Sequence, residues 1–95
     1  MIVAACKLDL KLTGNPRSLK EKRMVIQSLK EKIRKRFEVS VAEVDGLDLW
    51  QRCILGIACV CREYKEAEQT FQKLLRFVEE HEALEMLDSE IFYYS

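Results

Sequence analysis

The apolar positions of this chain switch between two periods, and the switches mark out its elements. From Ile2 to Leu12 every second residue is apolar: Ile2, Ala4, Cys6, Leu8, Leu10 and Leu12 share one face, while Val3, Ala5, Lys7, Asp9 and Lys11 share the other. That is the pattern of a strand with one buried side. Thr13-Gly14-Asn15-Pro16 is a turn cluster. From Arg17 to Phe37 the period becomes helical, with Leu19, Ile26, Leu29, Ile33 and Phe37 on one face and no Pro or Gly inside the run. Ser18 followed by Glu21 is a capping box, so the start of this helix is written in the sequence. The period returns to two at Val39, Val41 and Val44, and Asp45-Gly46 marks a turn. Leu49 to Arg62 is apolar on both sides for much of its length, as in a strand at the middle of a sheet, with Gly56 permitting a bulge or a close backbone approach. A second helical stretch runs from Glu63 to about His81 and gathers Tyr64, Ala67, Phe71, Leu74, Leu75 and Val78. The tail, Ala83 to Ser95, reads as an edge strand interrupted near Asp88-Ser89.

The resulting order, βαββαβ, with one apolar face on each helix, fits one antiparallel four-stranded sheet carrying both helices on one side. This is the ferredoxin-like α+β plan in a single domain, residues 1–95. In that arrangement the sheet face bearing Val3, Ala5, Trp50, Ile54, Ala58 and Val60 is left uncovered and is too apolar to leave to water. A partner on that face is expected, a homo-oligomer and in the first place a dimer, with Val3, Trp50, Ile54 and Val60 at the interface.

Composition changes this picture little. At 95 residues, 48% hydrophobic and 34% charged, the chain is an ordinary folded domain, and no stretch approaches the length of apolar sequence needed to cross a membrane. No secretory signal pattern is present, so a cytoplasmic location is expected. Charge changes it more. The formal net charge is zero, yet residues 1–37 hold eleven lysines and arginines against three acids, and residues 38–95 hold five against thirteen. Such a division suits a polyanionic partner for the basic half, or two copies meeting basic to acidic.

The candidate chemistry is thin. Cys59 and Cys61 are spaced to share a strand face, and Cys6 and Cys53 also fall on inward positions. Their neighbours are leucines and isoleucines, and no zinc-type spacing is present, so these residues read as small core hydrophobes, with no metal and no cofactor expected. His81 ends the second helix with no nucleophile placed beside it. Glu43, Asp45 and Asp48, with Trp50 and Arg52 close by, form a better small-ligand or enzymatic candidate, since grouped carboxylates perform acid–base work or hold a divalent cation. The same acids also suit a solvated turn. Lys7, Lys11, Arg17, Lys20, Arg23, Lys30 and Arg34 line one side as candidate phosphate contacts. The third strand has ILGIACVC where an RNA-recognition sheet would carry stacking aromatics.

Three stretches carry a family resemblance. RSLKEKR at Arg17–Arg23, FEVSVAEVD at Phe37–Asp45 and DLWQRCILGIACV at Asp48–Val60 resemble the YlxP-like family of small bacterial proteins, a domain of unknown function. The resemblance runs from Met1 to about Asp88. It implies a ferredoxin-like fold, a bacterial cytosolic protein and no established activity. Genes of that family often lie near those for translation initiation and ribosome maturation, which implies a role around the ribosome. The family's signature positions fall here on Ser18 to Arg23, Ser40, Glu43, Asp48, Trp50, Gln51 and Arg52. Among them Lys22 points toward the apolar face of its helix and wants a carboxylate, with Glu43 or Asp48 as the expected partner.

The leading expectation is therefore a non-enzymatic RNA- or ribosome-associated adaptor that contacts phosphate through Arg17, Lys20, Arg23, Lys30 and Arg34. Ribosomal RNA or a ribosome-associated protein is the expected partner, and no membrane is involved. The alternatives are a homo-oligomeric interaction module and a site built on Glu43, Asp45, Asp48, Trp50 and Arg52.

Overall fold

A computed structural model describes residues 1–95. The elements are β1 (Ile2–Leu12), α1 (Leu19–Arg36), β2 (Ser40–Asp45), β3 (Arg52–Cys61), α2 (Tyr64–Glu79) and β4 (Leu84–Tyr94). The strands form one sheet in the order β2-β3-β1-β4, with every neighbouring pair antiparallel. This is the ferredoxin-like arrangement, and both helices cover the same face.

Alternation along β1 decides which face that is. Its even-numbered residues from Ile2 to Leu12 are all buried, as are Cys53, Leu55, Ile57, Cys59 and Cys61 of β3. The helices supply the other half of the core through two matching footprints. Lys22, Ile26, Leu29 and Ile33 of α1 are buried, and so are Ala67, Phe71, Leu74 and Val78 of α2. The four cysteines are reduced and lie within this core. Burial pushes the Cys6 thiol up to about 11 and the Cys53 thiol up to about 12, away from the thiolate form in which cysteine binds metals or attacks.

Three sequence expectations are corrected and one, the break in β4, is sharpened. β3 begins at Arg52, so Trp50 lies in the preceding loop and is not part of the sheet face. The break in β4 falls at Leu87, which is skipped where the partners of Asp9 and Leu10 pass from Asp88 to Met86. A comparable bulge falls at Val44 in β2, between Glu43 opposite Leu55 and Asp45 opposite Ile54. Val44 reaches over β3, where a Cβ on Gly56 would stand 2.9 Å from its Cγ1, so this position requires glycine. Finally, the capping box at α1 keeps its Ser18 half as expected and shifts only its return bond by one residue. Ser18 Oγ accepts from the Glu21 N–H at 3.2 Å, while the Glu21 carboxylate takes the N–H of Arg17.

Candidate nucleic-acid interface

The site starts from the period of α1. Lys20, Arg23, Gln27, Lys30 and Arg34 recur at spacings of three and four, so they form one straight stripe beside the buried footprint. At 1.5 Å rise per residue that stripe is about 21 Å long. Its C-terminal end reaches the β2 edge of the sheet, where Arg34 Nη2 donates to the Val41 carbonyl at 3.0 Å, and a groove of ≈ 850 Å³ runs along α1 as far as Glu43 of β2. Lys20, Arg23 and Lys30 line it together with Ile26 and the acids Glu31 and Glu43.

None of Arg17, Lys20, Arg23, Lys30 or Arg34 enters an ion pair. The three pairs in the molecule are Lys22–Glu43, Arg52–Asp9 and Arg62–Glu66. Apart from Lys30, which is half-buried, these five cations are exposed. Lys7 and Lys11 do not belong to the stripe. They lie on the odd-numbered face of β1, on the far side of the sheet from the helices.

Lys22 stands apart from the other basic residues. It is 0% exposed, it occupies the first place in the α1 footprint, and its ammonium lies 2.7 Å from Glu43 Oε2. Its directed hydrogen bonds go to the carbonyls of Gly46 at 2.6 Å and Leu47 at 3.4 Å. The carboxylate contact is thus a close charge pair more than an aligned hydrogen bond, and the buried Oε2 receives nothing else. Glu43 reaches the ammonium because it pairs with inward-facing Leu55 and so points under α1. Of the two carboxylates expected for Lys22, Glu43 is the partner, while Asp48 is exposed in the loop. With Lys22 beside it, the Glu43 carboxylate is balanced, which leaves Glu31 as the acid in the groove lining outside any ion pair.

The node also shapes the β2–β3 loop. Gly46 adopts φ +73, its N–H is taken by Asp45 Oδ1 at 2.8 Å, and its carbonyl accepts from Leu49 as well as from Lys22. The loop therefore stands as a braced turn presenting Leu47, Leu49 and Trp50 to solvent.

The acidic ligand site expected from the sequence is not brought together. Glu43 points to the helix layer, and Asp45 and Asp48 are exposed around the turn. Arg52 points to the opposite sheet face, where its guanidinium holds Asp9 at 2.7 Å. That is a diagonal cross-strand pair, since Arg52 is opposite Lys11 and Asp9 opposite Ile54. His81 is engaged locally, its Nδ1 accepting from the Ala83 N–H at 3.2 Å.

Residues 3–91 match the family model described as a protein of unknown function, DUF503. The chain belongs to this family. It is also 35% identical over 68 residues to the uncharacterized protein YlxP of Bacillus subtilis (strain 168), covering 72% of this chain and 74% of that one. The stripe, the groove and the Lys22 node all lie inside the matched segment. No helix of this family member is long and apolar enough to cross a membrane.

Proposed function

We propose that the protein is a non-enzymatic adaptor that binds RNA through its phosphate backbone, using the α1 stripe. The observation that carries this reading is the row of cations, Arg17, Lys20, Arg23, Lys30 and Arg34, without a single acid paired to them. Cations already neutralised inside the molecule would release no counterions on binding. These retain their full attraction for a polyanion. No aromatic residue lines the groove, so the reading is one of backbone contact without base stacking. The family resemblance makes ribosomal RNA the first probe to use.

Binding to ribosomal RNA fragments should weaken steeply with salt. With four or five phosphates engaged, log K against log salt should fall with a slope of roughly −3 to −4. Arg23→Gln and Lys30→Gln should each lower the slope by about 1, while Lys73→Gln on α2 should leave it unchanged. A flat salt response, or no binding at low salt, overturns the proposal.

A further inference from the structure

The sheet face turned away from the helices is divided along the strands. The pairing places Val3, Val60 and Tyr94 in one row, and Ala5, Ala58, Phe92 and Ser40 in the next. Beyond them come Lys7 with Glu90, then Asp9 with Asp88, Asp45 and the half-buried Ile54, which the sequence places at the interface and which falls among charges, and last Lys11 with Arg52 and Glu85. One half of the face is therefore apolar and the other charged. In the apolar half Val60 is 69% exposed, Tyr94 58% and Phe92 39%.

The apolar half is also shaped. Ala5, Ser40, Ala42 and Ala58 leave a trough of ≈ 390 Å³ bounded by Val44 on β2 and Phe92 on β4. The two aromatics, Phe92 and Tyr94, sit on one outer strand, while the row of Phe92 holds only Ala5, Ala58 and Ser40 on the other three, so the face carries both a knob and a hole in that row.

A second copy of this chain supplies the matching surface. We propose that two copies pack sheet to sheet about a two-fold axis running along the strands, with β4 of each on β2 of the other and Phe92 seated in the partner's trough. An axis in that direction keeps every row against its own counterpart, so apolar rows meet apolar rows. At about 4.8 Å between strands and about 3.4 Å per residue, the face from Val3 to Lys11 covers about 500 Å² per copy. Two such faces bury about 1,000 Å², the lower bound for a specific interface.

Charge selects against other occupants. The face carries Lys7, Lys11 and Arg52 against Asp9, Asp45, Glu85, Asp88 and Glu90. It therefore offers no net positive field to a nucleic acid or an anionic lipid surface, despite the aromatics on β4. This inference stands independently of the reading of α1.

The test is sedimentation equilibrium from low micromolar to submillimolar concentration. A dimer is expected, and Val60→Lys and Ala58→Glu should each weaken it tenfold or more while the circular dichroism spectrum stays unchanged. Val60 is exposed enough that its substitution leaves the single copy intact. The arrangement is read by a short thiol-to-thiol cross-linker, since the native cysteines are buried. A variant carrying both Ser40→Cys and Phe92→Cys should link between copies, and either substitution alone should link far less. A monomer at every concentration, or a dimer indifferent to both face substitutions, overturns the proposal.

Discussion

The two helices rest on the sheet with the same footprint and differ at one place in it. In α2 the four buried positions are Ala67, Phe71, Leu74 and Val78, and in α1 the same spacing gives Lys22, Ile26, Leu29 and Ile33. Lys22 stands where Ala67 stands. Around α2 the remaining charge is balanced, whereas α1 is crowded with cations. The comparison separates two ways of holding a helix down. α2 is held by apolar burial alone; α1 has a shorter apolar stripe and adds a buried ammonium that grips the edge strand and the β2–β3 turn. That grip fixes where the exposed cations of α1 lie relative to the groove.

Removing one partner of the grip should have the largest effect. Glu43→Ala leaves an enclosed ammonium without its carboxylate, and Lys22→Ala leaves a carboxylate and two carbonyls without their donor. Each should cost about 3–5 kcal/mol in urea unfolding. Replacing both, as Lys22→Met with Glu43→Leu, makes α1 resemble α2 and should restore stability to within about 1–2 kcal/mol of the parent. If either single substitution costs less than about 1 kcal/mol, the node is open to water and the contrast between the helices fails.

The helix starts differ in a smaller way. α1 has a side-chain cap at Ser18, whereas Glu63 at the start of α2 makes no cap hydrogen bond. Ser18→Ala should cost about 1 kcal/mol in thermal unfolding, and Glu63→Ser should stabilise by up to about 1 kcal/mol. Equal responses to the two substitutions would show that the observed caps do not govern helix stability.

The smallest effect concerns the end of α2, where His81 feels Lys32 of α1. Burial first, and then Lys32, lower its pKa below the ordinary 6.5, with Glu82 opposing them. The folded state therefore binds fewer protons than the unfolded chain. Stability from this group is complete above pH 6.5 and declines as the pH falls from there through the lowered folded value. His81→Gln should remove that part of the pH dependence, read from melting temperatures across a pH series; an unchanged profile would place the titration elsewhere.

Much of the fold was legible because period and burial agree. The alternation of β1, the helical runs and the inward cysteines all follow from which residues must avoid water. Lys22 was legible too, since a helical wheel places it against the sheet. What depends on register was not. Arg52 meets Asp9 only because β1 and β3 align as they do, and no local pattern encodes that alignment. Grouping Val39, Val41 and Val44 as one set concealed the bulge at Val44, and with it the inward direction of Glu43. The bulge at Leu87 likewise hid that Phe92 and Tyr94 emerge on the uncovered face, so a sheet read as lacking aromatics in fact exposes two.

The enclosure of Lys22 has a chemical consequence. Acylating reagents and acetylating enzymes must reach the amine, and this nitrogen is enclosed until α1 lifts from β2. The other lysines should react promptly and Lys22 last, so its modification rate is a clock for that opening, and a group once attached there would bar the helix from closing again.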